Sequence, residues 1–202
     1  ESLDRPLNPH YTHSWGFTIE PTVHTGVMGM YPGVDALENG ESNYLLSLGA
    51  ANTVDPRING TTGDADRQTL LSGLTWRLPE SLGPLSGSTF AAGYVNGQPV
   101  DGGATVQNLY LALGLPVPQD RWRAGLVYDT RMLNGDANDD AVYGAYLSRR
   151  LNAKTWLTLR GEIFHDGARL FSGESAAEQS SGHSLTTTLD YQLWKNVISR
   201  LE

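Results

Sequence analysis

The 202-residue sequence contains no cysteine, which excludes a disulfide scaffold and any thiolate metal site. It has no run near the ~18 uninterrupted apolar residues of a membrane helix. Positive charge is in short supply: 14 Lys and Arg stand against 22 Asp and Glu, a formal net charge of −8. A chain poor in basic patches is a poor match for phosphate backbones, which argues against nucleic acid as a partner. The opening "ESLDRPLNPH" lacks the basic and apolar pattern of a secretory leader, so any targeting segment is expected to lie upstream or to have been removed. Helical periodicity is also scarce. What is plentiful is punctuation, with 23 glycines and 10 prolines placed between alternating segments and forming no low-complexity tract.

Those alternating segments have a period of two and predict strands over 22–31, 43–51, 68–78, 87–96, 104–114, 121–131, 139–150, 155–165, 183–193 and 196–202. Their connections alternate too. Links such as "LPVPQD", "LNAK" and "WK" are short, whereas "NTVDPRINGTTGDADR" and "DGARLFSGESAAEQSSG" are long and polar. Short turns at one end and long loops at the other predict an all-β fold, an antiparallel up-and-down transmembrane barrel. A soluble barrel or sandwich also alternates, so the faces have to decide. In 121–131, Trp122, Ala124, Leu126, Tyr128 and Thr130 share one face, against Arg121, Arg123, Val127, Asp129 and Arg131. Leu157, Leu159 and Ile163 oppose Thr158, Arg160 and Glu162; Leu185 and Leu189 oppose Ser184, Thr188 and Asp190. Strands of ~10 residues with one apolar and one charged or small face match lipid outside and water inside.

On that parity Arg121, Arg123, Asp129, Arg131, Arg150, Arg160, Glu162, Asp190, Arg200 and Glu202 are the candidate pore-lining residues. The pairs Arg160/Glu162 and Arg200/Glu202, each two apart on one face, are expected to neutralise one another in part. Arg121, Arg123, Arg160 and Glu162 are expected to set the field of the pore, with the arginines raising the local anion concentration. Trp76, Trp122, Trp156 and Trp194 lie beside the short-turn ends, and Tyr94, Tyr128 and Tyr143 towards the long-loop ends, the pattern of interfacial belts. Trp156 shares parity with Arg160, so it either lines the mouth or sits at a register-shifting bulge.

Three stretches, "IEPTVHTGVMGMYP" (19–32), "AYLSRRLNAKTWLTLRGEIFHDG" (145–167) and "LTTTLDYQLWKNVISRLE" (185–202), resemble the β-barrel porin-2 family. Its later strands run as YxLNxxxxLxLRxExFxDxxG and LTxxLxYxxWxNxxxRxE. The specific motifs cover about a third of the chain, and Ser148-Arg149-Arg150 departs from them where an aromatic is expected. The resemblance implies a bacterial outer-membrane porin without naming its solute. With long loops outside, 22–31 runs towards the periplasm and 196–202 runs outward. A bacterial barrel starts and finishes on the periplasmic side. The chain is therefore expected to be a single porin domain over 1–202 that lacks N-terminal and C-terminal strands, with 1–20 supplying part of an outer loop or of a preceding strand.

Catalytic readings carry less. His10 and His13 form H-x-x-H in a Pro/Asn-rich stretch without the helix a zinc pair uses. His165-Asp166 and "GHS" (182–184) bracket one loop and can in principle assemble a Ser/His/acid site, but the G-x-S-x-G elbow is missing. "NGDANDD" (134–140) lacks the bidentate Glu of a calcium loop, and the sequon "NGT" (59–61) has no meaning in a bacterial outer membrane. The expectation is a non-enzymatic porin without cofactor, metal or nucleic acid. Its partners are outer-membrane lipid, small hydrophilic solutes or ions, and a second copy of itself in a homo-oligomer. The alternatives are a structural barrel sheathing or anchoring a partner and, behind it, a soluble carbohydrate-binding β-protein.

Overall fold

The computed structural model describes residues 10–33, 43–54, 68–99, 104–117, 121–133, 139–167, 180–195 and 197–202. Ten strands follow in order: β1 (Gly26–Gly33), β2 (Tyr44–Ala51), β3 (Thr69–Arg77), β4 (Thr89–Gly97), β5 (Val106–Leu115), β6 (Trp122–Leu133), β7 (Asp140–Arg150), β8 (Thr155–Asp166), β9 (Ser180–Trp194) and β10 (Val197–Leu201). They form one sheet in the order of the sequence, every neighbour antiparallel. The all-β, up-and-down expectation holds, and all ten expected strands are found. Their ends differ by a few residues: β1 starts later, at Gly26, and β9 starts earlier, at Ser180. The helical content among the described residues is small: α1 (Trp15–Ile19) and a 3-10 turn at Glu80–Leu85 between β3 and β4.

Register fixes the faces. Tyr110 pairs with Asp129, Asp129 with Val142, Gly144 with Glu162, Arg160 with Thr186, and Asp190 with Arg200. One face therefore gathers the charged positions of β6–β10, because antiparallel partners put opposite residues on the same side. The other face gathers Val27, Leu48, Leu126, Tyr143, Ile163, Leu185 and Leu201, all exposed, with Ile163 at 63% and Leu185 at 77%. Of the expected outward set, Leu126, Leu185 and Leu189 are exposed large apolar residues on this face. Trp122, Leu157 and Leu159 share it. β8 pairs with both neighbours without a register shift, so Trp156 belongs to the polar face and no bulge is needed to explain it. The register shift that does occur lies between Val197 and Ile198, opposite the end of β9.

The polarity of this sheet is inverted relative to a water-soluble protein. Buried side chains include Asp129, Asp140, Thr158, Arg160, Glu162, Asp166, Thr188 and Asp190, while the exposed ones are leucine, isoleucine, valine and tyrosine. Burying charge costs several kcal/mol unless it is paired and hydrogen-bonded. What covers Asp129, Arg160, Glu162 and Thr188 is the chain's own N-terminal segment. Residues 10–20, expected to give an outer loop or a preceding strand, instead lie across the polar face as a strap containing α1.

Candidate functional site

The strap is folded by local chemistry. Ser14 caps α1, its Oγ accepting the Phe17 amide proton at 3.1 Å from an extended backbone. The His13 and Phe17 rings, one helical turn apart, stack at 4.1 Å. The helix stops at Glu20, whose extended backbone leads into Pro21, a residue that restricts its predecessor to such geometry. Gly16 faces Asp129 closely: an added Cβ there would stand 3.4 Å from Asp129 Oδ2. Downstream, the His24 ring faces the Pro21 carbonyl at 3.1 Å and the Thr53 carbonyl at 3.3 Å, tying the strap's exit to the end of β2.

The strap is latched to β8, β9 and β10. Arg160 donates to the carbonyls of Thr12 and His13 and to the Thr12 hydroxyl, each at 3.1 Å, and to Thr186 Oγ1 at 3.2 Å. Its Nε lies 3.0 Å from Glu162 Oε2. Glu162 in turn accepts from the Trp15 amide at 2.9 Å, at the start of α1, and from Ser184 Oγ at 3.3 Å. Arg160 is 2% exposed and Glu162 3%, so the pair sits under the strap, held by strap backbone and by the hydroxyls of Thr12, Thr186 and Ser184. The Trp15 and Phe164 rings pack at 4.7 Å beside it. Glu202 accepts from the Tyr11 amide at 2.6 Å and from Thr188 Oγ1 at 3.0 Å, and the Thr12 hydroxyl also donates to it. His10 is buried, its Nδ1 2.7 Å from Thr188 Oγ1. Burial, assisted by Arg160 and Arg200 and opposed by Glu202, pulls its pKa down to about 4.

The ten candidate residues all occur on the polar face or its rims, but they act differently. Arg160 and Glu162 pair as the sequence suggests. Arg200 and Glu202 do not: Arg200 pairs with Asp190 across the strands at 2.7 Å, leaving Glu202 for the strap. Arg131 pairs with Asp140 at 3.5 Å. Asp129 is fully buried and accepts from Asn108 Nδ2 at 3.2 Å, with Glu20 of the strap against it. Arg123 lies over the Trp156 ring at 5.3 Å near the short-turn end, where Arg121 and Arg150 are exposed. Sequence reasoning missed His10, Thr12, Ser14 and Glu20. The available signal was Ser14 as an N-cap with Pro21 just past the helix; H-x-x-H drew attention to metal chemistry instead.

The other chemical candidates separate in space. His10 is latched to Thr188 and His13 is stacked on Phe17. Among the described residues no group of three His, Cys, Asp or Glu side chains could hold a metal ion. His165 meets Ser181 Oγ at 3.1 Å on the apolar side, whereas Ser184 faces Glu162 on the polar side, so His165 and Ser184 do not come together in the Ser/His/acid alternative. Residues 134–138 of the acidic loop, the sequon at 59–61 and most of the loop after Gly167 lie outside the described residues.

Against known families, the model described as "Putative beta-barrel porin-2, OmpL-like" matches residues 1–202, the whole chain. No curated protein and no solved structure matches. The chain belongs to the β-barrel porin-2 family.

Proposed function

We propose that the protein is a passive porin of the bacterial outer membrane, forming a water-filled channel for small hydrophilic solutes or ions. The observation that carries this is the inverted sheet: one face with exposed large apolar residues on eight of its ten strands, and the opposite face with the charged groups of β6–β10. Lipid replaces a core on the first face, and water with the strap solvates the second. The ten candidate residues then line the lumen, Arg121, Arg123 and Arg150 at its short-turn mouth and the rest on its wall. Passive diffusion needs no covalent chemistry, only a wet path and fixed charges that bias what enters. Reconstitution of the full-length chain in a planar bilayer tests this: stepwise conductance is expected.

A structural barrel is a second reading, and one observation favours it: the strap occupies the polar face of β6–β10. Persistent absence of conductance from protein that is correctly inserted would select this reading.

A further inference from the structure

The strap divides the polar side into two clefts. One, of about 350 Å³, lies between α1 and β5–β8 and includes Phe17, Tyr110, Tyr146 and Glu162. The other, of about 280 Å³, lies between the strap's exit and β1–β5, bounded by Met28, Ser47, Leu71, Gly93 and Asn108. Glu20 and Tyr110 border both. In the second cleft Glu20 is the single charged residue among the described lining. The arginines of the opposite wall are spoken for. Arg160 is under the strap with Glu162, Arg200 holds Asp190, and Arg131 holds Asp140.

We propose that the solute path runs between the strap and the β1–β5 wall, and that Glu20 gives it a preference for cations. This rests on the porin reading above and deepens it. Asp129 is fully buried beside Glu20, and the two carboxyl groups are hydrogen-bonded to each other, which takes one shared proton and leaves the pair a single negative charge. The half-buried Glu20 carboxylate stands at the strap's exit, across from a wall of glycine, serine and aliphatic side chains. Clefts lined by one sign of charge with low-dielectric walls focus the field and concentrate counter-ions. These three arginines, each paired, add little net field at this point. On this proposal Arg160, paired with Glu162 under residues 12–15, contributes little to the field of the path, whereas the sequence-based expectation is that Arg121, Arg123 and Arg160 together enrich anions.

The test is the reversal potential of the full-length protein in a planar bilayer under a KCl gradient at low salt. Wild type is expected to pass K⁺ in preference to Cl⁻. Glu20→Gln should lower that permeability ratio at least twofold, and Glu20→Lys should carry it to anion preference. Glu20→Cys provides an independent readout: a positively charged thiol reagent should alter conductance and selectivity once attached. A conducting wild type whose selectivity is unmoved by all three Glu20 substitutions overturns this proposal and leaves the porin reading standing. A wild type that never conducts overturns both.

Discussion

The two halves of the polar face are built by different rules. Along β1–β5 it presents Met28, Ser47, Gly49, Leu71, Gly73, Ala91, Gly93 and Asn108, and its one charged side chain is Arg77 at the turn end of β3. Along β6–β10 it presents Asp129, Arg131, Asp140, Arg160, Glu162, Asp190 and Arg200. The strap chooses the second half, because backbone amides and carbonyls of residues 11–15 find charged partners there. Small side chains opposite leave the remaining space open. The lesson is that strand parity assigns a residue to a face, while the partner across that face decides whether its charge is available.

The largest contrast should come from Arg160. Arg160→Ala leaves Glu162 buried without its cation and frees three strap contacts. Loss of one partner of a buried pair costs ~3–5 kcal/mol. Thr75→Ala, on the uncharged wall, should stay within ~0.5 kcal/mol. Urea unfolding in lipid vesicles measures both. Arg160→Met combined with Glu162→Met should cost less than Arg160→Ala alone, and a double variant that costs as much as the sum of the singles would show the pair to be uncoupled.

On the uncharged wall the large effect should be steric. A Cβ at Gly49 would stand 2.8 Å from the Val27 carbonyl oxygen and 3.3 Å from Met28 Cα. Both are backbone of β1, hydrogen-bonded to β2 and unable to yield, so Gly49→Ala should cost ~1–3 kcal/mol. Equal tolerance of alanine at Gly49 and Thr75 would mean that β1 is free to move.

Acid should weaken the charged half alone. His10 is held down to about 4 from an ordinary value near 6.5, by burial first and then by Arg160 and Arg200, against the pull of Glu202. Thr188 and Tyr146 face it from β9 and β7, and Asp190 is occupied by Arg200. Folded His10 stays neutral where the unfolded chain binds a proton. Its contribution is therefore complete above about pH 6.5 and is lost as pH falls towards 4, by at most ~1.4 kcal/mol per pH unit. Unfolding midpoints across that window should fall for wild type more steeply than for His10→Gln. Parallel slopes would remove His10 from the latch.

These contrasts also mark how far the sequence was legible. Period-two alternation located all ten strands and separated Leu185 and Leu189 from Thr188 and Asp190, since a pleated strand has only two sides. It also put Arg160 beside Glu162, because residues two apart on a strand are neighbours. It could not show that Arg200 prefers Asp190 on the next strand, which depends on the register across a β9–β10 hairpin containing a shift at Val197/Ile198. The strap was least legible. Five residues of helix give too little periodicity to read, and its contacts join positions nearly the whole chain apart, such as Tyr11 with Glu202.

The smallest effect should come from Gly93, on the same wall as Gly49. An added Cβ there meets Tyr110 Cβ at 3.7 Å, an ordinary contact, and no backbone within 4 Å. Glycine inside a strand is less stable than alanine by ~0.5–1 kcal/mol, because it loses more freedom on folding. Gly93→Ala should therefore leave stability unchanged or raise it by up to about that amount, against the loss at Gly49. Because Gly93 also borders the cleft at Glu20, the same variant should narrow the path and lower single-channel conductance slightly while the K⁺ to Cl⁻ ratio holds or rises. A stabilised Gly93→Ala protein with undiminished conductance would move the path away from the β1–β5 wall, since a methyl group placed in a cleft of about 280 Å³ has to displace water that carries the current.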